Sequence, residues 1–295
     1  MTMTWWLGDQ LADELVARHQ LLGSGLMSGD AVITTLRVVA GVPLDLERHV
    51  ERLRRDASDT GLPVPDAALV RRAADALARV NGRVRPDHVL RLTATRAAPA
   101  PGSAFGSRTE LSLLLGVSEP PPIELLTQLT VATVDGARRP AGIKTLDRRW
   151  PGRADTFARW RDADRALLVD GDDVLEGGYA NVVVVRDDDA MTPVADGRLL
   201  PGITRAALLE SDVGLRAAPV SVAALLVADE VLLLSSIAGV VSVVGIQHAE
   251  QPMQPVGDGQ PGPWAARARQ ALIAGGWPAS WPHPGTIDPA QHLES

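Results

Sequence analysis

Apolar residues along this chain fall into two rhythms, alternating or continuous runs of four to nine and stretches spaced by three and four. Ala31-Val32-Ile33-Thr34-Thr35-Leu36-Arg37-Val38-Val39 belongs to the first kind. It is β-branched and bounded by Gly29-Asp30 and Gly41-Val42-Pro43, which predicts a buried strand between two turns. From Leu46 to about Gly61 the spacing changes, with Leu46, Val50 and Leu53 on one side, and predicts a helix. His49 and Arg52 are three apart there and share a face. A second helix is expected over about Asp66 to Val80, where Leu69, Val70, Ala73, Ala74 and Leu77 line one side. Trp5-Trp6-Leu7 with Gly8-Asp9 reads as a short strand and turn, and His88–Arg96 and Glu110–Val117 read as strands.

The Pro-rich piece Glu119-Pro120-Pro121-Pro122 is the best linker in the chain. It divides an N-terminal domain at 1–118 from a C-terminal domain at 124–275, with the linker at 119–123 and a disordered tail at 276–295. The second half predicts a strand at Leu129–Val134, a helix at about Arg153 to Asp164, and a strand and turn at Ala166–Asp170 with Gly171-Asp172. Val182–Val185 is a continuous apolar strand, and Asp187-Asp188-Asp189 reads as a solvated hairpin tip rather than a metal site. Leu199-Leu200-Pro201-Gly202-Ile203-Thr204-Arg205 opens a helix to about Asp212. Val231–Leu234 leads into Ser235-Ser236-Ile237-Ala238-Gly239, and a last helix spans Trp264 to Ile273.

Composition narrows the chemistry. The 295 residues carry a formal net charge of −7 and no long basic run, which disfavours a nucleic-acid partner. Cysteine is absent, so disulfides, thiolate metal sites and a cysteine nucleophile are excluded. The six histidines are scattered, and no metal signature is present. Neither a signal-peptide pattern nor an apolar run of about 18 residues occurs, so a soluble, cytoplasmic protein is expected.

The candidate nucleophile is Lys144, in Ala141-Gly142-Ile143-Lys144-Thr145-Leu146-Asp147-Arg148, between an apolar strand and a polar segment. A lysine attacks a carbonyl when desolvation or neighbouring cations lower its pKa. Most lysines, however, are solvated surface charges. Gly202-Ile203-Thr204 after Pro201 is a sound anion cradle, because the first N–H groups of a helix lack internal acceptors; taken alone, such a start is more often an ordinary cap. Ser236 and Ile237 could add donors or simply form a turn. Arg52 could offer a bidentate fork or stay solvated, and Glu176, placed at a strand start before two glycines, could face a ring nitrogen or serve as a turn carboxylate.

Together these fragments carry a resemblance that none carries alone. Gly29-Asp30…Thr35-Leu36-Arg37, His49-x-x-Arg52-Leu53, Lys144-Thr145, Glu176-x-x-x-x-Asn181 and Leu200-Pro201-Gly202-Ile203-Thr204-Arg205 occur in the order and spacing of the class IV aminotransferase family, over about Trp5 to Ile246. These are the fold-type IV pyridoxal 5′-phosphate enzymes. The resemblance implies an α+β, two-domain, D-amino acid aminotransferase-like fold: a smaller N-terminal α/β sandwich and a larger C-terminal β-barrel-like domain with helices. It further implies that Lys144 holds the cofactor covalently and moves the substrate proton, and that Glu176 pairs with the pyridine nitrogen. Arg52, the backbone of Ile203 and Thr204, and Ser236 with Ile237 would hold the phosphate, and Arg96 would lie near the substrate carboxylate. Family members are typically homodimers acting on small molecules.

Two details resemble one branch of the family, 4-amino-4-deoxychorismate lyase. Ile33-Thr34-Thr35 stands where many aminotransferases have an aromatic residue, then Glu, then Thr, which brings Thr34 into the substrate set. Lys144-Thr145-Leu146-Asp147-Arg148 is similar to the lyases' Lys-x-Leu-Asn-Arg, with Asp147 for Asn. The expected reaction is release of 4-aminobenzoate and pyruvate; the alternatives are amino transfer on branched-chain or D-amino acids, and cofactor binding without turnover.

Overall fold

The structure, a computed structural model, describes residues 4–7, 9–13, 29–83, 86–96, 111–118, 128–137, 140–147 and 149–279, with backbone alone for 111–118 and 128. The expected linker at 119–123 and the tail from 280 onward lie outside the described residues. Two compact units form: Met1–Pro120 with Ile143–Arg148, and Pro121–Gly142 with Arg149–Ser295. The segment that carries Lys144, on the C-terminal side of the linear division, thus belongs to the first unit.

The first unit contains β1 (Trp5–Leu7), β2 (Gln10–Ala12), β3 (Ala31–Val39), β4 (Val42–Pro43), α1 (Leu46–Asp59), α2 (Ala67–Gly82), β5 (His88–Arg96) and β6 (Leu111–Ser118). Its six strands run in the order β2-β1-β6-β5-β3-β4, every neighbouring pair antiparallel. Side chains alternate along a strand, so Val32, Leu36 and Val38 of β3 lie on one face with Leu90, Leu92 and Ala94 of β5. Val50, Leu53 and Ala57 of α1 and Val70, Ala73, Ala74, Leu77 and Ala78 of α2 pack onto that face. Burying each larger aliphatic side chain contributes about 1.5–3 kcal/mol. α2 starts where the Asp66 side chain accepts the Leu69 N–H, 2.7 Å away, a standard cap.

The second unit contains β7 (Gln128–Asp135), α3 (Arg149–Arg159), β8 (Arg165–Asp170), β9 (Asp173–Gly177), β10 (Asn181–Arg186), β11 (Asp189–Thr192), α4 (Ile203–Leu209), β12 (Leu215–Ala217), α5 (Val222–Leu226), β13 (Glu230–Ser235), β14 (Gly239–Gln247), β15 (Gln254–Pro255) and α6 (Pro263–Ala274). The main order is β12-β11-β10-β13-β14-β7-β8-β9, with β15 added on β14. β9 and β10 are consecutive in sequence but separated by four strands in the sheet. In a flat sheet that separation is about 24 Å. The chain from Gly177 to Asn181 reaches at most about 14 Å. The sheet therefore curls, bringing β9 back towards β10, and the barrel-like expectation for this unit holds.

Several boundaries differ from the sequence reading. α3 begins four residues earlier than expected, because Pro151 is accepted in a first helical turn, where its missing N–H has no acceptor to lose. It also ends earlier, at Arg159, since Asp162 adopts a left-handed conformation with φ +57°. α4 stops at Leu209 rather than near Asp212. Trp277, inside the segment assigned to the tail, is buried, and its N–H bonds to the Leu272 carbonyl. Among the described residues no helix is long and apolar enough to cross a membrane.

Candidate active site

Lys144 sits on the first unit beside the open edge of β3. The Ile33 N–H donates to its carbonyl at 2.8 Å, the Leu146 N–H donates to Ala31 at 3.1 Å, and Val32 and Thr145 form an isolated bridge. Its own N–H donates to Asp56 Oδ2 at 2.9 Å. The segment follows the strand without becoming one, so the amine is carried on a short half-buried strap. Nothing in the sequence marked Asp56: it lies in the charged run Glu51-Arg52-Leu53-Arg54-Arg55-Asp56, which reads as a solvated helix face.

The face of α1 that meets β3 presents His49, Arg52 and Asp56, all buried. Arg52 Nη2 donates to Thr34 Oγ1 at 2.6 Å, and Thr34 Oγ1 lies 2.7 Å from His49 Nδ1. A hydroxyl that accepts from Arg52 still has one proton to give, and His49 Nδ1 is the acceptor at hand. That places the imidazole proton on Nε2, which has no hydrogen-bond partner among the described residues. Burial, followed by the charges of Arg52 and Lys144, holds His49 well below its usual pKa, so the ring is neutral at pH 7. Thr34, expected to meet substrate, is fully buried on the helix-facing side of β3 and holds Arg52 and His49 in register.

Arg96, the other residue expected near substrate, donates from Nε to Asp30 Oδ2 at 2.7 Å and from Nη2 to the Gly61 carbonyl at 2.9 Å. Its guanidinium is thus engaged at the end of β5 by Asp30, which precedes β3.

In the second unit a buried carboxylate and a buried amide hold the two backbone polar groups of one residue. Glu176 Oε2 accepts the Leu200 N–H at 3.2 Å, and Asn181 Nδ2 donates to the Leu200 carbonyl at 2.8 Å. Glu176 is the fourth residue of the five in β9, rather than at a strand start. Leu200 leads through Pro201 into Gly202, the N-cap of α4, where a Cβ would meet Asn181 Oδ1 at 1.9 Å. Only glycine fits there. Ile203 and Thr204 follow, both buried, with helix-start N–H groups that have no acceptor inside the helix. Thr204 Oγ1 is buried with no partner among the described residues. Arg205 anchors this start, donating to Thr192 Oγ1 at 3.2 Å and to the Pro193 carbonyl at 2.8 Å. Between β13 and β14, Ser235 Oγ accepts the Ala238 N–H at 3.1 Å and spans a tight loop whose tip is Ser236 and Ile237, both half-buried.

The candidate residues therefore fall into two sets, each assembled within its own unit. Lys144, Arg52, Thr34 and Arg96 belong to the first; Glu176, Ile203, Thr204, Ser236 and Ile237 belong to the second. An amine, an arginine, a buried carboxylate and helix-start donors are what a phosphorylated, aldehyde-bearing pyridine ring requires. The orphaned Thr204 hydroxyl at the start of α4 fits such a group.

Comparison with known proteins agrees. The chain is 26% identical over 254 residues to a D-alanine aminotransferase of Bacillus licheniformis, covering 84% of this chain and 88% of that protein. It is 26% identical over 259 residues to a putative branched-chain-amino-acid aminotransferase of Methanocaldococcus jannaschii, covering 83% and 88%. Its fold matches the branched-chain amino acid aminotransferase of Thermobaculum terrenum in its PLP form, with a TM-score of 0.79 at 21% identity over 92% of this chain and 94% of that one. A hypothetical aminotransferase of Mycobacterium tuberculosis in a PLP-bound form gives 0.73 at 22% identity, covering 85% and 92%. The amino-transferase class IV profile matches residues 31–246, and on that extent the chain belongs to the class IV aminotransferase family.

Proposed function

We propose that this chain is a pyridoxal 5′-phosphate-dependent aminotransferase that moves the amino group of a small α-amino acid to a 2-oxo acid. The observation that carries the proposal is the placement of Lys144 along the edge of β3, the strand that carries Thr34 of the Arg52–Thr34–His49 hydrogen-bond chain, in a member of this family. The relatives named above act, by their names, on D-alanine and branched-chain amino acids, and these are the substrates to test first. When bound, the cofactor ring supplies an electron sink for the charge left by proton loss next to the substrate nitrogen.

The chain's own residues do the rest. Lys144 would hold the cofactor and is the amine that would take and return the substrate proton. Glu176 would pair with the ring nitrogen and favour its protonated form. The N–H groups of Ile203 and Thr204 and the loop tip at Ser236 and Ile237, together with Arg52, would hold the phosphate. Thr34 acts through Arg52 and His49, and Arg96 orders the β3 and β5 ends where the substrate carboxylate is received. A homodimer is the expected assembly, which light scattering checks.

A second reading is aminodeoxychorismate lyase, favoured by Ile33-Thr34-Thr35 and the run from Lys144 to Arg148. The buried position of Thr34 weakens its claim, because the residue that suggested a different substrate serves Arg52 and His49. The test is direct. Purified protein is incubated with pyridoxal phosphate and reduced with borohydride, and the adduct is mapped by peptide mass. The holoenzyme then receives D-alanine or L-leucine with 2-oxoglutarate, or 4-amino-4-deoxychorismate alone. Keto acid formed only when an amino acceptor is present supports amino transfer; pyruvate from aminodeoxychorismate without acceptor supports the lyase. An unlabelled Lys144 refutes both.

A further inference from the structure

We propose that Asp56 is a positioning residue for Lys144, clamping the peptide that carries the amine; this rests on the assignment of Lys144 as the cofactor-bearing lysine. Two bonds that hold the strap, Ile33 N–H to the Lys144 carbonyl and Leu146 N–H to the Ala31 carbonyl, are backbone bonds along one edge of β3. Such bonds leave a short unpaired segment free to hinge about that edge. The Lys144 N–H to Asp56 Oδ2 bond, at 2.9 Å, comes from α1 instead and fixes the peptide in a second direction. With both polar groups of residue 144 held, the direction of its Cα–Cβ bond is set.

The carboxylate is built for this work. Asp56 is fully buried, and an unpaired buried charge is costly. Arg55 offsets that cost by donating to Oδ1 from Nε at 3.1 Å and from Nη2 at 2.7 Å, leaving Oδ2 for the Lys144 N–H. A charge-assisted bond of this kind is roughly twice as strong as a neutral one. Nothing in the helix itself calls for an aspartate at this point, since its backbone continues to Asp59 and alanine has the higher helix propensity. Asp56 also lies four residues after Arg52 and seven after His49, so one face of α1 presents all three. Phosphate-binding arginine, neutral imidazole and lysine clamp are thereby set on a single rigid element.

The experiment compares wild type with Asp56→Ala, Asp56→Leu and Asp56→Asn. Apo-protein is mixed with pyridoxal phosphate, quenched with borohydride at increasing times, and the Lys144 peptide is quantified by mass; kcat and KM for the amino donor are measured on each holoenzyme. Asp56→Ala and Asp56→Leu, which offer no acceptor, are expected to capture cofactor on Lys144 about tenfold to a hundredfold more slowly and to lose kcat similarly, with KM within about twofold. Asp56→Asn keeps an oxygen acceptor and restores most of both. If Asp56→Ala does not fold, the near-isosteric Asp56→Leu is read in its place. Capture at the wild-type rate in the acceptor-free variants overturns the clamp, as does an Asp56→Asn protein as slow as they are. A wild type with no adduct on Lys144 overturns the parent assignment, so the two failures are distinguishable.

Discussion

Gly202→Ala is the sharpest structural probe of the proposed phosphate cradle, because its cost can be worked from the contacts. The backbone there has φ −73° and ψ 146°, which any residue adopts, so the substitution fails on space rather than on torsion. The new methyl would lie 1.9 Å from Asn181 Oδ1 and 3.1 Å from its Cγ. Asn181 is buried and can retreat only by giving up its 2.8 Å bond to the Leu200 carbonyl. Leaving a buried polar group unsatisfied costs about 1–3 kcal/mol, and overpacking adds about 1–3 kcal/mol. Together these amount to about 2–6 kcal/mol, which lowers the melting temperature by roughly 3–10 °C for a chain of 295 residues. Circular dichroism melts of the apo-protein measure the first effect, and pyridoxal phosphate titration measures the expected loss of affinity. Asn181→Ala removes the obstacle, so the double variant should cost little more than Asn181→Ala alone, a coupling of about 1–3 kcal/mol. Strict additivity, or a Gly202→Ala protein that melts within about 1 °C of wild type, would refute the reasoning.

Thr34→Val keeps shape but cuts the link between Arg52 and His49, leaving both without their shared hydroxyl. The expected outcome is a loss of about 2–3 kcal/mol in urea unfolding together with weaker cofactor binding by titration; an unchanged affinity would separate Thr34 from the site. His49 titrates below 6.5 in the folded state, so its contribution to stability is complete above pH 6.5 and falls as pH drops below it. The slope reaches about 1.4 kcal/mol per pH unit. Urea melts between pH 7.5 and 5 should show a shallower slope for His49→Gln, and equal slopes would contradict a neutral buried ring. Glu230 accepts the Trp264 N–H at 2.8 Å and the Ala265 N–H at 3.2 Å, capping α6 from β13. Glu230→Ala is expected to cost about 1–3 kcal/mol by thermal melt, and a cost under about 0.5 kcal/mol would mean that solvent replaces the cap.

The elements that were legible in the sequence are those whose pattern is long and punctuated. β3 is readable at its observed ends because eight of its nine residues are apolar or β-branched and the run lies between two glycine turns, and α1 and α2 because their buried positions recur at three and four. β12 and α5 leave no such trace: with three and five residues they are too short to show a period, and tertiary packing decides them. The site divides in the same way. Lys144, Arg52 and Glu176 stand out through local motifs, whereas Asp56 is recognisable only after folding turns its side of α1 towards the strap. Thr34 was assigned by motif to substrate, and only the three-dimensional register reveals its bonds to Arg52 and His49.

The return of Ile143–Arg148 to the first unit has a consequence for biogenesis. While the ribosome is still making residues 1–142, the edge of β3 at Ala31–Ile33 waits for its last neighbour, which arrives only with the lysine itself. A truncated product ending near Pro120 would therefore lack both Lys144 and the closure of that sheet border, a vulnerable surface for misassociation. Closure of the first unit's sheet and delivery of Lys144 to it are one event in this polypeptide, timed by translation through position 148.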